Sequence, residues 1–317
     1  MHRIIKLLKE WKLPVAMVLG VIGYYVLEAL PLSDENNALA YHAIQHNIQP
    51  VLIFSMLFLS FMKVSPGEMR PHRWQAKLLL VQGGLFLLCS AVALLIDNGM
   101  LFSGDYGAKI LAEGAMLCFL CPTATASAVI VGKLGGNVAG DVTYIMLINL
   151  LVSILAPAVL PLVEPHEGLD FSTSFFIILR KVFPLLIFPL AAAWLVRYAM
   201  PKVRNFFLHY PDLAFYMWLV ALALAILVTV RSIDESTVGI GYLIGLAVVS
   251  LVCCIVQFAL GRHIGGITAG QAFGQKNTVF AIWLGLVFLN PLTSVVGGFY
   301  SVWHNVINSW QLHKKRL

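Results

Sequence analysis

Two short stretches put polar and charged side chains where the surrounding sequence is apolar. The segment GQAFGQKNTVFA, residues 270 to 281, gathers Gly270, Gln271, Gly274, Gln275, Lys276, Asn277 and Thr278. The segment CPTATAS, residues 121 to 127, places Thr123, Thr125 and Ser127 around Pro122. These residue types suit the binding of a charged or polar ligand: hydroxyls and amides donate and accept hydrogen bonds, and the Lys276 ammonium adds a positive charge. For bond cleavage only Ser127 or Ser301 with His304 can be drawn together, without a nucleophile elbow, an HExxH motif or paired intramembrane aspartates.

Both stretches lie in segments that read as membrane spans. Of the 317 residues, 60% are hydrophobic and 11% charged, against roughly 25% charged in an average soluble domain. Apolar runs of helix-spanning length recur along the whole chain, which indicates an all-α integral membrane protein. Hydropathy predicts ten spans, at residues 14–31, 48–63, 76–96, 107–133, 138–163, 182–200, 212–231, 237–260, 264–290 and 291–310. The first run, from Pro14, is too long for a signal peptide and lacks a small-x-small cleavage site, so it is expected to span. Arg180 and Lys181 are expected in an amphipathic helix on the outer surface, just before the sixth span. All five cysteines sit in apolar runs, as packing residues rather than disulfide or zinc ligands.

Basic residues decide orientation. Arg3, Lys6, Lys9 and Lys12 at the N-terminus, Lys63, Arg70, Arg73 and Lys77, then Lys133, Arg197, Lys202, Arg204, Arg262 and the tail Lys314, Lys315, Arg316 all fall on one side. The other side holds Asp34, Glu35, Asp97, Asp105, Glu164, Glu167, Asp170, Asp234 and Glu235. The positive-inside rule therefore puts both termini in the cytoplasm, for a protein of the plasma (inner) membrane. Dispersal of the basic residues at helix ends argues against nucleic-acid binding, whatever the net charge of +6 suggests.

Ten spans divide into five plus five, residues 1–163 and 164–317, and an odd number per half forces the halves into opposite orientations. Pro122 interrupts the fourth span, and glycines with consecutive polar side chains interrupt the ninth. Taken alone, CPTATAS also fits a proline kink patched by threonines. Interruptions at matching positions of two halves point to a transporter's binding site, with half-helix N-termini offered to anions and free carbonyls to cations. Lys276 lies roughly 18 Å beyond Ile264, about the middle of a ~30 Å hydrocarbon core. A lysine there costs ~2.5–3.5 kcal/mol to insert, so it is expected either to serve function with a partner or to cap carbonyls at the break.

The sequence resembles the bile acid:sodium symporter family over nearly its full length. CPTATASAV (121–129) stands where the family has C-P-G-G-T-A-S-N, GQKNTVFA (274–281) where it has E-x-G-x-Q-N-S/T, and FYSVWHNVINS (299–309) is similar to its F-S-V-W-H-N. The resemblance implies two inverted five-helix repeats with discontinuous, crossing helices 4 and 9. It also implies a core domain of helices 3–5 and 8–10 beside a panel domain of helices 1, 2, 6 and 7, alternating access, and sodium-driven uptake of organic anions by a monomer. Thr125, Ser127, Asn277, Thr278, His304 and Asn305 match and are the implied substrate-binding positions. Three positions depart: Ala128 replaces an asparagine, Ala272 a glutamate, and Lys276 a sodium-ligating glutamine.

These departures make sodium doubtful as a partner, and no other cofactor is expected. An ammonium both blocks and repels a cation in the same cage, so Lys276, with Gln275, Thr123 and Asn149, is expected to form an ion site or its substitute. Its ammonium would donate to the carbonyls and hydroxyls that otherwise hold sodium. A buried amine can also release and rebind a proton, which makes proton coupling or uniport the alternatives. Glu113 and Asp141 are candidate proton or charge partners, or else an end-of-helix acid and an N-terminal cap. Asn149 is either a polar neighbour or a helix–helix contact, and His304 a ligand, a proton shuttle or packing. The expectation is an organic-anion transporter; a sodium-coupled one with rearranged ligands, an intramembrane hydrolase and a non-transporting receptor are the competing readings.

Overall fold

The computed structural model describes residues 12–165, 168–210, 212–235 and 239–316. Arg3, Lys6, Lys9 and Glu167 of the charge asymmetry, and the start of the eighth span at 237, lie outside the described residues. The fold is built of helices: α1 Lys12–Ala29, α2 Asp34–Phe61, α3 Arg73–Asp97, α4 Tyr106–Leu120, α5 Ser127–Leu134, α6 Val138–Val163, α7 Phe171–Ala199, α8 Pro201–Leu208, α9 Leu213–Asp234, α10 Ile240–Gly274, α11 Thr278–Phe288 and α12 Pro291–Arg316. Six of them, α2, α3, α6, α7, α9 and α10, are long and apolar enough to cross a membrane, and Val15–Ala29 and Thr278–Phe288 are shorter apolar helices. Large apolar side chains such as Leu80, Leu88, Leu195 and Tyr198 are exposed. An exterior of that kind is suited to lipid rather than to water.

Three boundaries differ from the sequence expectation. The second span begins at Asp34, not 48, because Ser33 caps the helix by accepting from the Asn36 N–H. A π-helical turn at Ile44–Ile48 then accommodates Pro50, whose ring would clash with the carbonyl four residues back. The segment carrying Arg180 and Lys181 is not a separate surface helix: it is the start of α7, whose 29 residues form one helix opened by Asp170. About 43 Å of helix exceeds a ~30 Å core, so these two side chains need no break in the backbone to approach the boundary. Spans eight and nine are joined without a polar loop, by a reversal at Gly265 and Gly266 within α10, where Gly266 has φ 71°. Only glycine takes that conformation without strain.

Packing sorts the helices. α1 and α2 both pack on α9, and α2 also packs on α7; α4 packs on α3, α10 and α12, α3 on α6, and α11 on α12. Contacts of α6 with α7 and of α9 with α12 join the two sets. Within the second set α10 folds back on itself so closely that a Cβ on Gly261 would lie 2.5 Å from the Ala269 carbonyl oxygen. Backbone cannot yield there as a side-chain tip can. Gly261→Ala is therefore expected to destabilise the protein by about 1–3 kcal/mol through overpacking, while Gly84→Ala, which meets nothing within 4 Å, leaves it unchanged. Thermal unfolding of the two variants in lipid nanodiscs checks this.

Candidate substrate and ion site at the helix crossing

The helical backbone stops twice, at Cys121–Ala126 between α4 and α5 and at Gln275–Asn277 between α10 and α11. Pro122 has no N–H to continue α4, and Cys121 leaves the helix with φ −56° and ψ 128°. Freed backbone in a membrane needs partners, and each break supplies the other. Thr123 and Lys276 form an antiparallel bridge, the Ala124 N–H donates to Gln275 O at 3.0 Å, and the Asn277 N–H donates to Pro122 O at 2.8 Å. The two extended segments thus cross and pair. Four half-helix ends meet around them: the N-termini of α5 and α11 and the C-termini of α4 and α10. Asn277 caps α11 by accepting from the Phe280 N–H at 3.2 Å, whereas α5 has no side-chain cap.

C-terminal carbonyls are capped by side chains from neighbouring helices. The Gln82 amide on α3 donates to Phe119 O at 2.8 Å and Cys121 O at 3.1 Å, and its oxygen accepts from the Tyr144 hydroxyl at 3.0 Å. Gln257 donates to Cys118 O at 3.4 Å and to the Tyr300 hydroxyl at 3.1 Å, and Tyr300 donates to Gly274 O at 2.8 Å. Thr123 donates to Ala272 O at 2.5 Å, and the Cys121 thiol to Asn277 O at 2.9 Å. Carbonyls that a cation would seek are therefore already engaged. Gln82, Gln257, Tyr144 and Tyr300 were missed in the sequence; the available signal was a lone glutamine deep within an apolar run.

Lys276 is 1% exposed and among the largest fully buried side chains. Its Nζ makes no hydrogen bond among the described residues and lies 4.9 Å from the centre of the Phe273 ring, near Cys118, Cys121, Cys253 and Cys254. The expected donation to carbonyls and hydroxyls is thus not what the structure shows, because side chains from α3, α10 and α12 reach those acceptors first. The carboxylates considered as its partners also bond elsewhere. Asp141 accepts from the Ser127 hydroxyl at 2.6 Å, and Glu113 lies within a different cluster, accepting from Thr293 at 2.8 Å.

The remaining predicted residues divide. Gln275 donates to Gln271, whose amide donates to Gln311 at 2.8 Å. Thr125 is half-buried beside the crossing, and Thr278 is buried at the start of α11 with Oγ1 unpartnered. Asn149 on α6 is fully buried with both side-chain polar atoms unpartnered. His304 stands edge-on to Tyr300, ring centres 5.8 Å apart, with Nδ1 unpartnered. Asn305 bonds back to Ser301 O on its own helix.

Interrupted helices that cross inside an apolar bundle define a membrane transporter of the broken-helix class. The sequence profile of the SBF-like CPA transporter family matches residues 17–285, and the chain belongs to that family. It is accordingly a transporter and not an enzyme, and the resemblance carried by the motifs at 121–129 and 274–281 holds, the motif at 299–309 lying beyond the matched residues. Among curated proteins, none matches the sequence. The capping arrangement carries its own consequence: Gln82→Leu would strand two backbone carbonyls and the Tyr144 hydroxyl, at about 1–3 kcal/mol for each buried group left unsatisfied. Thermal unfolding in nanodiscs is expected to show a larger loss for Gln82→Leu than for Tyr144→Phe, which leaves both carbonyls capped.

Proposed function

We propose that the protein is a secondary transporter of a small organic anion, a carboxylate or sulfonate, that works without sodium because Lys276 stands in the ion's place. The observation that carries this reading is a fully buried amine at the crossing with no hydrogen-bond partner among the described residues, among carbonyls already occupied by Gln82, Gln257, Tyr300 and Thr123. An isolated buried ammonium costs several kcal/mol, so Lys276 either takes an anion's charge with its proton or gives the proton up. That behaviour suits proton coupling or uniport. The anion would meet Thr125, Asn277 and the N-terminal ends of α5 and α11, whose dipoles favour negative charge, with Ser127, Thr278, His304 and Asn305 as further candidate contacts.

The architecture belongs to the same proposal. Residues 1–163 and 164–317 would form two inverted five-helix repeats, counting α4 with α5 as one interrupted span and the second arm of α10 with α11 as another. Packing of α1, α2, α7 and α9 supports a panel, and packing of the rest supports a core that rocks against it during alternating access. Both termini would face the cytoplasm from the plasma membrane, and the transporter would act as a monomer. A sodium-coupled version draws on the unpartnered oxygens of Asn149, Asp141 and Thr278.

Proteoliposome uptake separates the two. Labelled probes are a sterol conjugate, a pantoate-like acid, a short keto acid and a sulfonate, each with sodium replaced by choline and across pH. Uptake by the wild type is expected to persist in choline, and Lys276→Gln to lose at least about tenfold, equivalent to ~1.4 kcal/mol of lost interaction. Strict sodium dependence of the wild type would sink the substitution.

A further inference from the structure

Away from the crossing, four charged groups converge on the ends of α3, α4 and α6 that lie opposite the C-terminal end of α12. Lys109 Nζ on α4 is 2.9 Å from Asp97 Oδ1, just at the end of α3, and 3.1 Å from Glu164 Oε1, just beyond α6. Glu113, one turn further into α4, is 3.8 Å from the same ammonium through Oε1. Its Oε2 accepts from Thr293 on α12 at 2.8 Å, and the Lys109 ammonium gathers its carboxyl and that of Glu164 around one cation. Other polar groups facing α4 are Tyr242 of α10, which bonds Asp105 at 3.3 Å, and Asn290, which pairs with Tyr106 of α4 itself. No charged side chain faces Glu113 from α11.

With all three carboxylates ionised the cluster would carry two net negative charges. The ammonium is already shared by Asp97 and Glu164 at contact distance, and Glu113 would be a third carboxylate, fully buried. Its Oε1 has no hydrogen-bond donor among the described residues. Carboxylates gathered on one ammonium repel each other, and a buried one without a donor is the costliest to keep charged. A proton on Glu113 Oε1 removes one excess negative charge and turns the buried oxygen that lacks a donor into a donor itself. Burial falls away outward along the cluster, from Glu113 with a side chain 1% exposed, through Lys109 at 11% and Glu164 at 28%, to Asp97 at 45%. That gradient leads from Glu113 outward to water.

We propose that Glu113 holds a proton, and that its carboxyl, set among Lys109, Asp97, Glu164 and Thr293, is a proton-binding site of the transporter separate from the Lys276 crossing. In the step itself the Glu113 O–H bond breaks, the proton passes outward to water, and the cluster changes from one net negative charge to two. Because α4 runs from Glu113 to the crossing in about 12 Å, the change acts on the helix that ends at Cys121. Only the coupling of this proton to transport rests on the function proposed above; the binding of the proton does not.

Infrared difference spectra of the full-length protein in nanodiscs, between acid and alkaline pH, read the site directly. A buried-carboxylic-acid C=O band is expected in the wild type, absent from Glu113→Gln and shifted in Glu164→Gln. If the band persists unchanged in Glu113→Gln, or the wild type shows no such band, the assignment is overturned. If sodium at constant pH abolishes the band, the site takes a metal cation in competition and the proton-only assignment fails. Should Glu113→Gln not fold, Glu164→Gln, at a partly exposed position, and hydrogen–deuterium exchange of the wild-type band carry the test: no shift in either overturns the proposal. Uptake of the labelled anions with and without a pH gradient is measured beside it. Loss of the band's assignment with uptake intact refutes the proton site alone, whereas an intact band without uptake refutes the transport reading alone.

Discussion

Backbone groups released inside a bilayer have no water to turn to, and each one left unsatisfied costs several kcal/mol. Breaking one transmembrane helix at Pro122 would therefore be prohibitive unless another backbone answered it. The answer is a second break, at Gln275–Asn277, set antiparallel to the first so that Ala124 bonds Gln275 and Asn277 bonds Pro122. Everything nearby follows from keeping that crossing dry and satisfied. Gln82, Gln257 and Tyr300 exist at their depths because carbonyls at the ends of α4 and α10 need donors.

The crossing also concentrates opposite electrostatic ends in one place. N-termini of α5 and α11 bring partial positive charge, and C-termini of α4 and α10 bring partial negative charge. Lys276 sits on the latter side, among the thiols near the end of α4 and the Phe273 ring. A cation tethered there would supply what a bound ion supplies elsewhere, held by the chain itself.

Much of this was legible in the sequence. Pro122 and the run Gly274–Thr278 marked both breaks because proline lacks an N–H and because glycines with adjacent amides make a poor membrane helix. Motif likeness at 121–129, 274–281 and 299–309 led to the family that the profile match shows. Less legible was the sharing of acceptors. Nothing in the spacing of Gln82 and Phe119 says that one caps the other, since they stand on different helices; the lysine's expected partners were assigned to carbonyls that these glutamines had taken. The run before Val182 was read as a surface helix from its charges, although an Asp170 cap and uninterrupted helix propensity carried it into α7.

The sequence by itself determined a membrane-embedded helical chain and the positions at which two helices stop, because hydropathy and helix breaking are local properties of a few neighbouring residues. Only the tertiary structure decided that the two breaks answer each other and that Lys276 Nζ is left without a hydrogen bond. It alone also decided that Glu113 belongs with Lys109, Asp97 and Glu164 and not with Lys276. Those are contacts between helices distant in the chain, fixed by which side chain reaches a buried polar group first, and no local pattern encodes that competition.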